Sequence, residues 1–168
     1  MLTRGKADVT WAYAAGLVDG EGCIGLSKSS TNPQHRRNPR YEPEVTVVNT
    51  SLPMLTWLQD EFGGALKARK KQKPHHKQAW AWKLGNHQAA SFCNGVLPFL
   101  RVKREQALLI IEYMATARPP EHRGQGAELS TVEVAKREAI YRRGRALNDM
   151  RHPQRLIEAA ARDADVTV

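Results

Sequence analysis

The sequence predicts an α+β fold built on one four-stranded antiparallel sheet, and three observations carry that expectation. Helical and strand patterns follow one another in the order α-β-β-α-β-β-α-α-α, so an αββ unit occurs twice before the chain turns wholly helical. Hydrophobic residues make up 41% and charged residues 26% of the 168 residues, a globular rather than a disordered balance. The strand candidates are short and alternate apolar with polar residues, as a sheet with one face in the core requires. The length suits a single domain over residues 1–168, with a core at about 8–116 and a helical part at about 128–168. No duplicated stretch is visible, so any symmetry has to come from a second chain.

The first helix is expected from Asp8 or Thr10, both good N-caps, through Trp11, Ala14, Leu17 and Val18, with Gly20-Glu21-Gly22 ending it. An alternating run follows, with Ile24, Leu26 and Lys28 on one face and Gly25, Ser27 and Ser29 on the other. Residues 30–40 are polar with two prolines and read as a loop or exposed hairpin tip. Glu44-Val45-Thr46-Val47 alternates again as a second strand, Val45 and Val47 inward. A second helix is expected from about Ser51 to Gly63-Gly64, presenting Leu55, Leu58 and Phe62.

Strands at 65–73 and 78–84 then flank a turn at Pro74-His75-His76. Trp80, Trp82 and Leu84 share one face, which reads as core rather than as a stacking platform for bases, and the two histidines read as a turn rather than a zinc site. A third helix runs from an Asn86 cap to about Cys93, closed by Gly95, and a fourth covers 100–114 with Leu108, Ile111 and Ala115 at core spacing. Residues 118–126 break the pattern as a mobile connection. Ser130 and Glu133 form a capping box for a helix reaching about Arg145, and 154–161 suits a short terminal helix.

Charge narrows the function classes. The net charge is +9, and all of it lies in residues 1–104, which hold 16 Lys or Arg against 7 Asp or Glu. No acid occurs between Phe62 and Arg104, a span with ten Lys or Arg, and none between Gly22 and Tyr41. Positive charge concentrated in this way is the footprint of a polyanion, nucleic acid before others. No stretch approaches the roughly 18 apolar residues of a membrane span, and the N-terminus lacks a signal-peptide core. Cys23 and Cys93 form neither a disulfide framework nor a Cys-x-x-Cys site, which suits a reducing compartment.

Residues 12–24 hold the chemistry. Ala12, Gly16 and Gly20 recur every four residues on one helix face, a spacing that lets two helix backbones approach closely. Asp19 and Glu21 then crowd the C-terminal end of the helix, where carboxylates are unfavourable against the macrodipole unless a cation sits there. Carboxylate and carbonyl oxygens are natural Mg²⁺ ligands. Two such helices packed face to face would bring two Glu21 side chains beside one axis, a metal centre for phosphodiester hydrolysis. The alternative reading is a helix contact within one domain with both acids solvated.

The segment at 13–22, YAAGLVDGEG, resembles the signature of the LAGLIDADG homing endonucleases, with Ala for the leading Leu and Gly-Glu for the penultimate pair. Residues 49–64 (NTSLPMLTWLQDEFGG) are similar to that family's second helix, 80–84 to its fourth strand, and 97–106 (LPFLRVKREQ) to the stretch with its active-site lysine. The resemblance covers about residues 8–116 and implies an αββαββα fold acting as a homodimer on a long, near-palindromic double-stranded DNA site. It implies a Mg²⁺-dependent double-strand break with 3′ overhangs, in intron homing; Mn²⁺ would substitute, and Ca²⁺ would support binding without cleavage. Glu21 is then the metal-binding acid, the Gly20 carbonyl a second ligand, and Lys103 the lysine near the scissile phosphate. Lys103 reads otherwise as an exposed helix lysine. Asn49 either organises active-site water or caps the following helix, and Asp19 orients the helix end. Ala12, Tyr13, Gly16, Asp19 and Gly20 would form the dimer interface.

The outer sheet face would lie in the major groove. Alternation puts Gly25, Ser27, Ser29, Glu42, Glu44, Thr46, Lys67, Arg69, Lys71, Lys73, Ala81 and Lys83 there, with Gln34, Arg36, Arg37, Asn38 and Arg40 reaching from the loop. Arg suits guanine and Glu accepts from cytosine N4, while most lysines would contact phosphate. The contrasting reading is a non-cleaving binder, such as a maturase bound to intron RNA or a transcriptional regulator. No membrane partner is expected, and the setting is intracellular, with a bacterial or phage cytoplasm favoured over an organelle.

Overall fold

A computed structural model describes residues 4–29, 39–71, 73–116 and 130–149. The loop positions Gln34, Arg36, Arg37 and Asn38, the connection at 118–126 and the helix expected at 154–161 lie outside them. The elements are α1 (Arg4–Glu21), β1 (Gly22–Ser29), β2 (Arg40–Asn49), α2 (Leu52–Phe62), β3 (Ala65–Ala68), β4 (Trp80–Gly85), α3 (Asn86–Val96), α4 (Arg104–Thr116) and α5 (Thr131–Asp149). The sheet is antiparallel throughout, in the order β1-β2-β4-β3.

One face of this sheet is dry. Ile24, Leu26, Tyr41, Val45, Val47, Trp82 and Leu84 are buried there against Ala14, Ala15 and Val18 of α1, Leu55 and Leu58 of α2, and the inner sides of α3 and α4. An aromatic cluster ties the layers: Trp11 lies 4.8 Å from Phe62, Phe62 lies 5.0 Å from Phe92, and Phe92 lies 5.4 Å from Trp82. Trp82 Nε1–H donates to the Gly63 carbonyl at 2.8 Å, so the core reading of the tryptophans holds for this ring. Gly63 and Gly64 turn the chain from α2 into β3 at φ 72° and 90°, conformations that a side chain would strain.

Several boundaries differ from expectation, each for a physical reason. Helix α1 starts at Arg4, ahead of the Asp8 and Thr10 caps. Strand β2 runs on from Arg40 through Glu42 and Pro43, and Pro43 lies one residue beyond the last β2–β4 pair, Glu44 opposite Gly85. Strand β3 stops at Ala68; past it, residues 69–73 offer cations and a glutamine with no apolar side chain for the core, and the Arg69 N–H to Ala79 carbonyl bond (2.9 Å) and the Gln78 Nε2 to Arg69 carbonyl bond (2.7 Å) extend the pairing by one residue. Arg69, Lys71 and Lys73 therefore lie in the connection rather than on a strand.

Gly95 does not end α3: a Cβ there would sit 2.4 Å from the Trp11 ring, so this glycine lets α1 press on α3. Helix α4 buries Ala107, Leu109, Ile110 and Tyr113, leaving Leu108 and Ala115 exposed and Ile111 only half-buried. It packs on α3, the sheet and α5 at once, which selects a different face of its apolar run.

Helix α5 opens with the expected capping box: the Glu133 N–H donates to Ser130 Oγ at 3.2 Å and the Ser130 N–H to Glu133 Oε2 at 3.1 Å. It packs on α4 and β1. There Glu138 Oε2 accepts from the Tyr41 hydroxyl and from Lys28 Nζ at 2.7 Å, and Oε1 from Arg142 Nε at 3.2 Å. Lys28, the Tyr41 hydroxyl and Arg142 hold this carboxyl down to about 2, and burial, then Glu138, pushes the Tyr41 phenol up.

A depressed carboxyl value contributes stability above the unfolded value of about 4.3 that is lost as pH falls toward the folded value. Melting temperature should accordingly drop between about pH 4.5 and pH 2 more steeply in the wild type than in Glu138→Gln. Parallel curves would show that Glu138 does not clamp α5.

Candidate metal and nucleic-acid site

The end of α1 passes into β1 without a loop. Gly22 makes this feasible, because a Cβ at that position would lie 2.8 Å from both the Cα and the carbonyl oxygen of Val18. Gly20 and Glu21 are consequently presented at the helix terminus, both exposed, with nothing within 4 Å of a Cβ built on Gly20. The last carbonyls of a helix lack intrahelical donors, so this corner offers oxygens from backbone and carboxylate together.

Two side chains clasp the corner. The Asp19 carboxylate turns into its own chain and accepts three backbone N–H groups, from Arg101 (2.7 Å), Val102 (3.2 Å) and Lys103 (2.9 Å). These donors lead into α4, whose first turn closes with the Ala107 N–H to Lys103 carbonyl bond at 3.1 Å. In return, Lys103 Nζ donates to the carbonyls of Val18 (2.6 Å) and Asp19 (2.5 Å). A carboxylate caps a helix N-terminus while an ammonium caps a helix C-terminus, each opposing the local macrodipole charge.

This arrangement corrects one expectation and extends another. Lys103 is 1% exposed, so it is not an exposed helix lysine; its Nζ lies on the two carbonyls that precede Gly20 and Glu21. Asp19 orients the helix end, as expected, its carboxylate engaged by the three N–H groups ahead of α4. Of that expected interface, Ala12, Tyr13, Gly16 and Gly20 form an exposed stripe on α1, extended by Val9, with Tyr13 edge-on to Trp57 at 4.9 Å. Asn49, at the end of β2, accepts the Ser51 N–H on Oδ1 at 2.9 Å, an Asx turn ahead of α2; the N-cap of that helix is Ser51 and not Asn49. Gly22 lies opposite Val47, so Asn49 sits at the sheet end from which α1 feeds β1.

The second face of the sheet has no buried residue. Gly25, Ser27, Ser29, Arg40, Glu42, Glu44, Thr46, Ala81, Lys83 and Lys67 share it, as alternation requires. Cys23, Val48 and Ala65 belong to it as well; extending the same alternation by one step would have found them. Arg40 pairs with Glu42 at 2.5 Å, and Lys83 pairs with Glu44 across β4 and β2. Arg69, Lys70, Lys71, Lys73 and Lys77 are exposed around a turn in which Pro74 follows Lys73 and the His76 N–H donates to the Lys73 carbonyl at 3.1 Å. The positive charge thus concentrates in the β3–β4 connection beside a mixed-charge sheet face.

Removing Lys103 leaves the Val18 and Asp19 carbonyls without this donor in a buried place, and removing Asp19 leaves three N–H groups ahead of α4 without their acceptor. Asp19→Ala and Lys103→Met should each lower unfolding free energy by about 1–3 kcal/mol. Since both changes release the same α1–α4 junction, the double variant should fall short of their sum by about 0.5 kcal/mol or more. Urea denaturation of the four proteins measures this, and strict additivity would show that the two caps act independently.

No protein-family model and no curated protein sequence matches the chain. Solved structures do. The homing endonuclease I-CvuI, in complex with the I-CreI target in 2 mM Mg and with its DNA not cleaved, superposes with a TM-score of 0.67 at 18% identity, covering 84% of this chain and 83% of that one. The archaeal intron-encoded homing endonuclease I-Vdi141I, complexed with DNA, gives 0.64 at 17% identity over 83% and 84% of the two chains. The LAGLIDADG meganuclease I-CpaMI, bound to uncleaved DNA, gives 0.60 at 16% identity over 78% of this chain and 42% of its own. The chain has the fold of the LAGLIDADG homing endonucleases.

Proposed function

We propose that the protein is a site-specific DNA endonuclease that cuts both strands of a near-palindromic duplex as a homodimer, with Mg²⁺ held at the ends of two α1 helices. The observation that carries this reading is the exposed Gly20–Glu21 corner, fixed from behind by Asp19 and Lys103 and open toward solvent. The solved neighbours named above are homing endonucleases and DNA complexes, which supports duplex DNA as the partner.

The donor chemistry fits a hard divalent cation. A glutamate carboxylate and a terminal helix carbonyl supply oxygen ligands of the kind Mg²⁺ and Ca²⁺ take. Among the described residues, no group of three or more His, Cys, Asp or Glu could hold a metal ion. One chain therefore supplies part of a shell, and a second Glu21 together with phosphate oxygens would complete it. The small-residue stripe of α1 supports such a pairing, because Gly16 and Gly20 leave room for a close helix approach.

When bound, Mg²⁺ offsets the negative charge that develops on the phosphodiester oxygens during hydrolysis. This chain's residues do the remainder. Glu21 and the Gly20 carbonyl fix the ion's position relative to the sheet. Lys103 and Asp19 act as positioning residues that hold the helix end, and Asn49 fixes the start of α2 next to it. The outer sheet face and the cationic β3–β4 connection bind the duplex, phosphate contacts giving affinity and base edges giving sequence preference.

Replacing Glu21 by Gln keeps size and hydrogen bonding while removing the ligand charge. Cleavage of a selected duplex in Mg²⁺ should fall by at least about a thousandfold, as loss of a principal charge-stabilising group does, with affinity in Ca²⁺ changing by less than about threefold. Retained cleavage by Glu21→Gln would remove the metal-acid assignment.

A further inference from the structure

On the outer sheet face, Glu44 stands in an unusual row. Its cross-strand neighbours are Gly25 on β1 and Gly85 on β4, neither with a side chain, and on the β1 side Asn148 Nδ2 of α5 comes to 3.2 Å of where a Cβ on Gly25 would lie. A Cβ built on Gly85 would meet only the Pro43 carbonyl oxygen, at 3.9 Å. The sheet is therefore shallow on the β4 side of Glu44 and accessible there to a planar group. Lys83, on the diagonal, donates Nζ to Glu44 Oε2. The side chains are 53% exposed for Lys83 and 28% for Glu44, and an exposed pair of this kind adds little to folding stability. The fold itself gives no reason for the pair.

The chemistry of base edges does. An ion pair sets an acceptor and a donor side by side a few ångströms apart. In the major groove, a C·G pair sets the cytosine N4 amino donor directly beside the guanine O6 acceptor, with guanine N7 as a second acceptor next to it. Resting on this-chain-as-DNA-binder, we infer that Glu44 and Lys83 form one reading head for a single C·G base pair in each half-site. Glu44 accepts from cytosine N4, and Lys83 donates to guanine O6 and N7.

The competing base pairs fit less well. A reversed G·C pair puts guanine O6 and N7 against the carboxylate, and a T·A pair puts thymine O4 there. An A·T pair keeps the donor–acceptor order, adenine N6 for Glu44 and thymine O4 for Lys83, and is disfavoured at its edges, where adenine N7 lies beside the carboxylate and the thymine methyl replaces guanine N7 beside the ammonium. Lys83 also keeps a carboxylate tolerable near a polyanion, because the pair enters the groove with no net charge.

The test is binding selection of the full chain on a randomised duplex library in Ca²⁺, comparing wild type, Glu44→Gln and Lys83→Gln. The wild type should fix one position per half-site as C·G. Glu44→Gln should move that position toward A·T by about tenfold, since Gln pairs with adenine N6 and N7, and Lys83→Gln should relax the same position by about tenfold, all others unchanged. Both substitutions are on the solvent face, and either variant alone reports on the position. Changes at two separate positions, or at none, would overturn the shared reading head while leaving DNA binding in place. A wild type that enriches no duplex would overturn the DNA-binding reading itself.

Discussion

The exchange of caps between Asp19 and Lys103 is the constraint on which the site depends. Helix α1 must stop abruptly, without a loop, to feed β1, and a helix end of that kind leaves carbonyls unpaired in a partly buried place. Lys103 supplies donors to two of them, while Asp19 gathers three N–H groups ahead of α4. The same few atoms therefore end one helix and begin another. Gly20 and Glu21 project from the one part of this junction left uncovered.

Packing makes that corner rigid. The Trp11 ring lies where a side chain on Gly95 would be, and the Phe62–Phe92–Trp82 stack joins α2 and α3 to the central strand β4. The inner sheet face is filled from this side, so the outer face stays free of core duties and displays Ser27, Glu44, Thr46 and Lys83. On the far flank, α5 runs beside the edge strand β1; Asn148 Nδ2 donates to the Ile24 carbonyl at 3.3 Å, which occupies a backbone acceptor of that strand. Fold and surface thus divide the labour by strand alternation alone.

Much of this was legible in the sequence where the signal is local. Alternation in β1 and β4 assigned both faces of the sheet, the Gly63-Gly64 pair marked the end of α2, and Ser130 with Glu133 announced α5. The exposed acid at the end of α1 was legible as well, because a carboxylate at a helix C-terminus needs a reason. Gly95 misled, since its purpose is room for a ring 84 residues away in the chain. The core face of α4 was hidden in the run 107–111, where apolar residues point in every direction. The capping role of Lys103 was hidden: a lysine beside an arginine and a glutamate carries no local sign of burial, and only its bonds to α1, 84 and 85 residues back, reveal a cap.

The account rests on the claim that two such corners, brought together, cut DNA. Cleavage selection of the wild-type protein on a randomised duplex library, run in parallel with Mg²⁺ and with Ca²⁺, tests it most directly. The account predicts recovery of a long, near-palindromic site, bound with either ion and cut on both strands with Mg²⁺ alone. Recovery of bound duplexes that no divalent metal causes to be cut would contradict it and leave a nucleic-acid-binding protein in which Glu21 has no catalytic part.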